Sequence, residues 1–102
     1  MMKQGSDSEE VRDILSIKQE NFLRFYIVND ELRGNATLSY AEAYGYDLDT
    51  LDKTGKRDLK TGILLEPSEF TRAYNTCSQL ASRLLRNVKV QRRRVEILNE
   101  VL

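Results

Sequence analysis

Phe70-Thr71-Arg72-Ala73-Tyr74-Asn75-Thr76-Cys77-Ser78-Gln79-Leu80-Ala81-Ser82-Arg83-Leu84-Leu85 is the stretch from which the rest of the chain is read. At about 100° per residue it makes a two-sided helix. Phe70, Ala73, Tyr74, Cys77, Leu80, Ala81, Leu84 and Leu85 fall on one side. Arg72, Asn75, Thr76, Gln79, Arg83 and Arg86 fall on the other, with no acid among them. Arginines, amides and hydroxyls are the side chains that bond phosphate oxygens and base edges. A solvated helix face ordinarily mixes both signs of charge, and a plain surface helix stands as the alternative reading.

Pro67-Ser68-Glu69 starts this helix, with Ser68 as N-cap and Glu69 against the positive helix end. Asn87 ends it or caps the next one. The spacing predicts a second helix over 88–102. Val90, Ile97 and Val101, with Val95, Leu98 and Leu102 beside them, supply its apolar side. Lys89 and the run Arg92, Arg93 and Arg94 make its first half basic. These four, with Thr76 and Arg86, are read as phosphate contacts. Arg72, Asn75, Gln79 and Arg83 are the candidates for base edges.

Upstream, residues 1–7 are polar and read as disordered. Ser8 is placed to cap a short acidic helix over 9–15, with Val11, Ile14 and Leu15 as apolar contacts. Ser16-Ile17-Lys18-Gln19 has the form of a capping box, which starts a helix running to about Asn29. Phe22, Leu23, Tyr26 and Ile27 recur along it at helical spacing and face the core, with Phe25 extending that surface. Asp30 to Gly34 reads as a loop. Asn35 caps a helix over Ala36–Tyr44, with Leu38, Ala41 and Tyr44 inward, and Gly45 stops it in the left-handed conformation. Residues 47–66 break the pattern. They carry Gly55 and Gly62 and read as a loop or a short β-hairpin, with Leu59, Ile63, Leu64 and Leu65 in a strand or packed back on the helices. Lys53, Lys56, Arg57 and Lys60 read as solvated cations of that segment, with phosphate contact as the second reading.

The fold class expected is therefore all-α: one small domain over 1–102, with four to five helices, a helix-turn-helix at its centre and an insertion near 47–66. The formal net charge is zero, but it is unevenly spread. Residues 1–50 hold 5 basic and 10 acidic side chains, a net of −5; residues 51–102 hold 11 and 6, a net of +5. A basic end calls for an anionic partner, or for the acidic end of another copy. There is no histidine and a single cysteine, Cys77, on the apolar side of its helix. That leaves no zinc site of the Cys/His kind and no cofactor to expect, and Cys77 reads as a small buried hydrophobe. Lys53-Thr54-Gly55-Lys56 lacks Walker spacing. No persuasive carboxylate pair is apparent, and an enzyme is not expected. No run approaches the ~20 apolar residues of a membrane span, and no signal-peptide pattern opens the chain, so a soluble intracellular protein is expected.

The ordered motifs carry a resemblance. They are Leu15-Ser16-x-Lys18-Gln19-Glu20-x-Phe22 with Tyr26 beyond, Gly34-Asn35-Ala36-Thr37, Ala43-Tyr44-Gly45-Tyr46, and Ala81-Ser82-Arg83-Leu84-Leu85-Arg86-Asn87-Val88-Lys89-Val90. In this order they resemble the N-terminal DNA-binding region of phage terminase small subunits, over most of residues 15–46 and 77–98. Val88 stands where that family usually has proline, Tyr44 replaces the commoner alanine, and residues 47–66 exceed the usual turn. The resemblance implies a non-enzymatic protein of viral genome packaging, acting in the host cytoplasm. It implies binding of double-stranded DNA, recruitment and regulation of the large ATPase–nuclease subunit, and a ring-shaped homo-oligomer. By position, Phe70–Arg86 corresponds to the recognition helix and Asn35–Tyr44 to the bracing helix. Two other readings stay open: an assembly module that docks its basic end on an acidic neighbour without touching DNA, and a helix-turn-helix transcription regulator.

Overall fold

The computed structural model describes residues 14–101. Among them are four α-helices: α1 (Ile17–Ile27), α2 (Ala36–Tyr44), α3 (Glu69–Leu85) and α4 (Val88–Val101). A 3-10 turn (Leu48–Thr50) and a two-stranded hairpin of β1 (Lys56–Arg57) and β2 (Leu64–Glu66) lie between α2 and α3. The molecule is thus a small all-α domain with a β insertion, as the sequence implies. Residues 9–13 of the expected acidic helix lie outside the described residues, and Ile14 and Leu15 are not helical.

Each helix starts where its cap stands. Ser16 Oγ accepts from Gln19 N–H at 3.1 Å, and Gln19 Oε1 accepts from Ser16 N–H at 3.0 Å, so the capping box is closed. Asn35 Oδ1 accepts from Leu38 N–H, Ser68 Oγ from Thr71 N–H, and Asn87 Oδ1 from the N–H groups of Lys89 and Val90. Gly45 ends α2 at φ 80°, where a side chain is strained. Helix α1 stops at Ile27, slightly short of expectation, because Asn29 folds back. Its Oδ1 accepts from Glu31 and Leu32 N–H and builds the turn into α2.

The core joins all four helices. Phe22 and Leu23 of α1, Tyr40 and Ala41 of α2, Cys77 and Ala81 of α3, and Val90 and Ile97 of α4 are buried together with Leu48. The Phe22 ring lies parallel to Tyr26 at 6.0 Å and edge-on to Tyr40 at 6.2 Å, and Tyr40 stacks on Tyr44 at 4.1 Å. Burial pushes the Cys77 thiol above its ordinary value, which disfavours the reactive thiolate. Helix α2 packs between α1 and α3, while α4 leans mainly on α1.

The insertion takes the hairpin form of its two expected ones, with Leu64 and Leu65 in strand β2. Leu59, Ile63, Leu64 and Leu65 do not pack back on the helices; all four are exposed. The apolar residues that anchor the segment are Leu48, which is buried, and Leu51, packed against the core. A free two-stranded hairpin is marginal in water, so this one depends on its base. There Phe70 N–H donates to the Asp52 carbonyl at 3.0 Å, and the Lys53 ammonium lies 5.1 Å from the centre of the Phe70 ring. Gly55, at φ 71°, closes the junction: a Cβ there would lie 2.8 Å from the Glu66 carbonyl and 3.2 Å from Ser68 N. The hairpin therefore springs from the first turn of α3.

Candidate nucleic-acid interface

Between Glu69 and Glu96 the chain has seven arginines and lysines and no acid. Helix α3 divides this stretch as its periodicity requires. Cys77 and Ala81 are buried, and Phe70, Ala73, Tyr74, Leu80, Leu84 and Leu85 are packed against the core. Arg72, Asn75, Thr76, Gln79 and Arg83 are exposed, as is Arg86 at the helix end. The six expected polar-face residues thus share one solvent-facing surface. Arg72 lies 3.7 Å from the Glu66 carboxylate, a solvated pair that holds the arginine weakly. No carboxylate of the described residues lies within 4 Å of Arg83 or Arg86. Thr76 is less free than expected. Its hydroxyl donates to the Arg72 carbonyl one turn back at 3.0 Å, which commits its only hydrogen to the helix.

The basic run of α4 is split. Arg93 and Arg94 stand three and four residues after Val90 and four and three before Ile97, so both share the stripe that faces α1. Arg93 donates from Nε and Nη2 to the two carboxylate oxygens of Glu20, at 2.9 and 2.8 Å. Its Nη1 reaches Glu96 at 3.0 Å and Glu100 at 3.4 Å. Arg24 completes the cluster, at 3.3 Å from Glu20 and 3.0 Å from Glu100. Arg94 lies over the Tyr26 ring, 5.6 Å from its centre. These two arginines tie α4 to α1 instead of facing solvent with Arg92, which corrects the reading of 92–94 as one phosphate-facing run. Lys89 is half-buried and Arg92 exposed.

The Arg93 hydrogen bond is the chief cause that holds the Glu20 carboxyl below its ordinary value. Arg93 is correspondingly raised, chiefly by Glu20. Between the lowered folded value and the ordinary one, the unfolded chain binds more protons, so stability rises with pH there. The contribution is complete above the ordinary carboxylate range, about pH 4.3, and is lost as pH falls through the lowered value. Glu20→Gln should therefore cost about 1–2 kcal/mol near pH 7, with the two proteins converging in acid. Urea unfolding from pH 7 down to 3 checks this; parallel stability curves would refute the assignment.

Among the described residues there is no group of three or more His, Cys, Asp or Glu placed to hold a metal ion. Among them, too, no helix is long and apolar enough to cross a membrane. A surface depression of about 460 Å³ lies between the start of α1 and Arg93 and Glu96, and no residue of α3 lines it.

Fold and surface together define a small all-α domain with an inserted hairpin and one exposed, acid-free helix face. In comparisons with protein-family models, curated proteins and solved structures, none matches the chain.

Proposed function

We propose that the protein is a DNA-binding adaptor of viral genome packaging, of the terminase small-subunit type. The observation that carries the reading is the α3 face, where Arg72, Asn75, Gln79 and Arg83 are exposed together with no acid among them. Such a face suits a helix lying in the major groove, where arginine reads guanine and amides read adenine. Arg86, Lys89 and Arg92 follow at the helix end and the start of α4, on the phosphates. Helix α2 braces α3, the part the first helix plays in a helix-turn-helix. The ordered motifs of residues 15–46 and 77–98 support the packaging role, in which the chain recruits the large ATPase–nuclease subunit as a homo-oligomer in the host cytoplasm.

One observation favours a second reading. Val88, Val95, Leu98 and Val101 leave an exposed apolar row on α4, which suits an assembly module that meets protein alone. Fluorescence anisotropy with a mixed-sequence duplex, taken across a salt series with the protein's mass measured alongside, separates the two. Affinity that falls linearly with log salt supports DNA binding. No binding at low salt by a protein shown to be oligomeric supports the assembly module.

A further inference from the structure

The geometry points to the inserted hairpin as a second DNA-contacting element, a ribbon whose Lys56 and Lys60 meet the phosphate backbone beside the major groove taken by α3. This rests on the reading of α3 given above and adds a part to it.

Three observations carry it. The first is placement. The hairpin is fixed to the first turn of α3 by the Phe70–Asp52 backbone bond and the close junction of Gly55 with Glu66 and Ser68. In helix-turn-helix proteins it is the N-terminal end of the recognition helix that meets the bases, so the hairpin projects from the end nearest the DNA. Gly55 to Asp58 rises about 10 Å at strand rise, and the turn over 58–62 carries Lys60 beyond it.

The second is stiffness. Asp58 Oδ1 accepts from Lys60 and Thr61 N–H, at 2.8 and 2.9 Å, and the backbones of Asp58 and Ile63 pair at 2.8 Å. Arg57 donates across the turn to the Gly62 carbonyl at 3.0 Å. The tip is held before any ligand arrives, which lowers the ordering cost of binding.

The third is chemistry. Lys56 and Lys60 are exposed, and no carboxylate of the described residues lies within 4 Å of either. Of the carboxylates nearby, Asp58 is engaged in the turn and Asp52 with Thr54, while Glu66 stands opposite Lys56 in the strand register and 3.7 Å from Arg72. Leu59, beside Lys60 at the tip, is fully exposed. Leu59 follows Asp58 and precedes Lys60, so a single cation stands beside the apolar tip.

The test is duplex binding by the full chain with Lys56→Ala/Lys60→Ala, over a salt series, with hydroxyl-radical footprinting. The expected result is a salt slope smaller by about two and affinity about tenfold weaker near 0.1 M salt. Protection is expected to disappear from one backbone stretch next to the α3 site. Lys56→Arg/Lys60→Arg should restore all three, since charge and not fold is what the alanines remove. Wild-type slope and affinity in the alanine variant, while Arg83→Ala binds weakly, would overturn the hairpin's role and leave the α3 reading standing. No binding by the wild type would overturn both. Unchanged DNA binding with a reduced oligomer mass in Leu64→Ser/Leu65→Ser would instead make the hairpin a self-association surface.

Discussion

Replacing Arg72 and Arg83 together by alanine should weaken duplex binding by a hundredfold to a thousandfold. A bidentate arginine contact is worth about 1–3 kcal/mol, and each 1.4 kcal/mol is a factor of ten. The two lie about 16 Å apart along α3 at helical rise, beyond the distance at which substitutions couple, so their losses should nearly add. They also lie within about 20° of each other around the helix, so one groove can meet both. Both are exposed and outside the core, and Tm should change by no more than a degree or two. Arg72 gives up only a solvated pair with Glu66. Anisotropy across a salt series measures the loss, and thermal unfolding verifies the fold. A folded double variant that binds like wild type at low salt would remove the α3 face from the proposed interface.

Phe22→Ala acts on the support of that face. Phe22 is fully buried, with its ring against Tyr26 and Tyr40, at the contact of α1 with α2. Truncating a buried phenylalanine costs about 3–5 kcal/mol. Domains of this size hold only about 5–15 kcal/mol in total. A fall in Tm of about 15 °C or more is expected, with DNA binding lost at any temperature where α2 no longer braces α3. Phe22→Leu keeps most of the apolar volume and should lose far less. Chemical denaturation of the three proteins gives the comparison; an alanine variant within 1 kcal/mol of wild type would show that this ring is not central to the core.

The division of labour between sequence and tertiary structure is visible in particular residues. Helix starts and stops were local matters. Ser16 with Gln19, Asn35, Gly45, Ser68 and Asn87 each act on backbone groups within a few residues, so their roles could be read directly. The two-sided character of α3 was equally legible, because a helix with acids absent from one face and apolar residues on the other has one way to lie on a core. The bonds of Arg93 belong to another order. Its partner Glu20 is 73 residues away, and no local signal links them. The only hint in the sequence is that Arg93 and Arg94 share a stripe with Val90 and Ile97, and a run of three arginines masks it. The hairpin was decided by the fold in the same way. Its leucines were as apolar as those of the core, but Leu48 and Leu51 took the available space beside α3 and left Leu59, Ile63, Leu64 and Leu65 in solvent. Caps, stops and amphipathic faces follow from short-range hydrogen bonding and periodicity, which the sequence by itself determined. Which apolar residues find room in the core, and which cations meet a carboxylate, depends on elements brought together across the chain, and only the tertiary structure decided them.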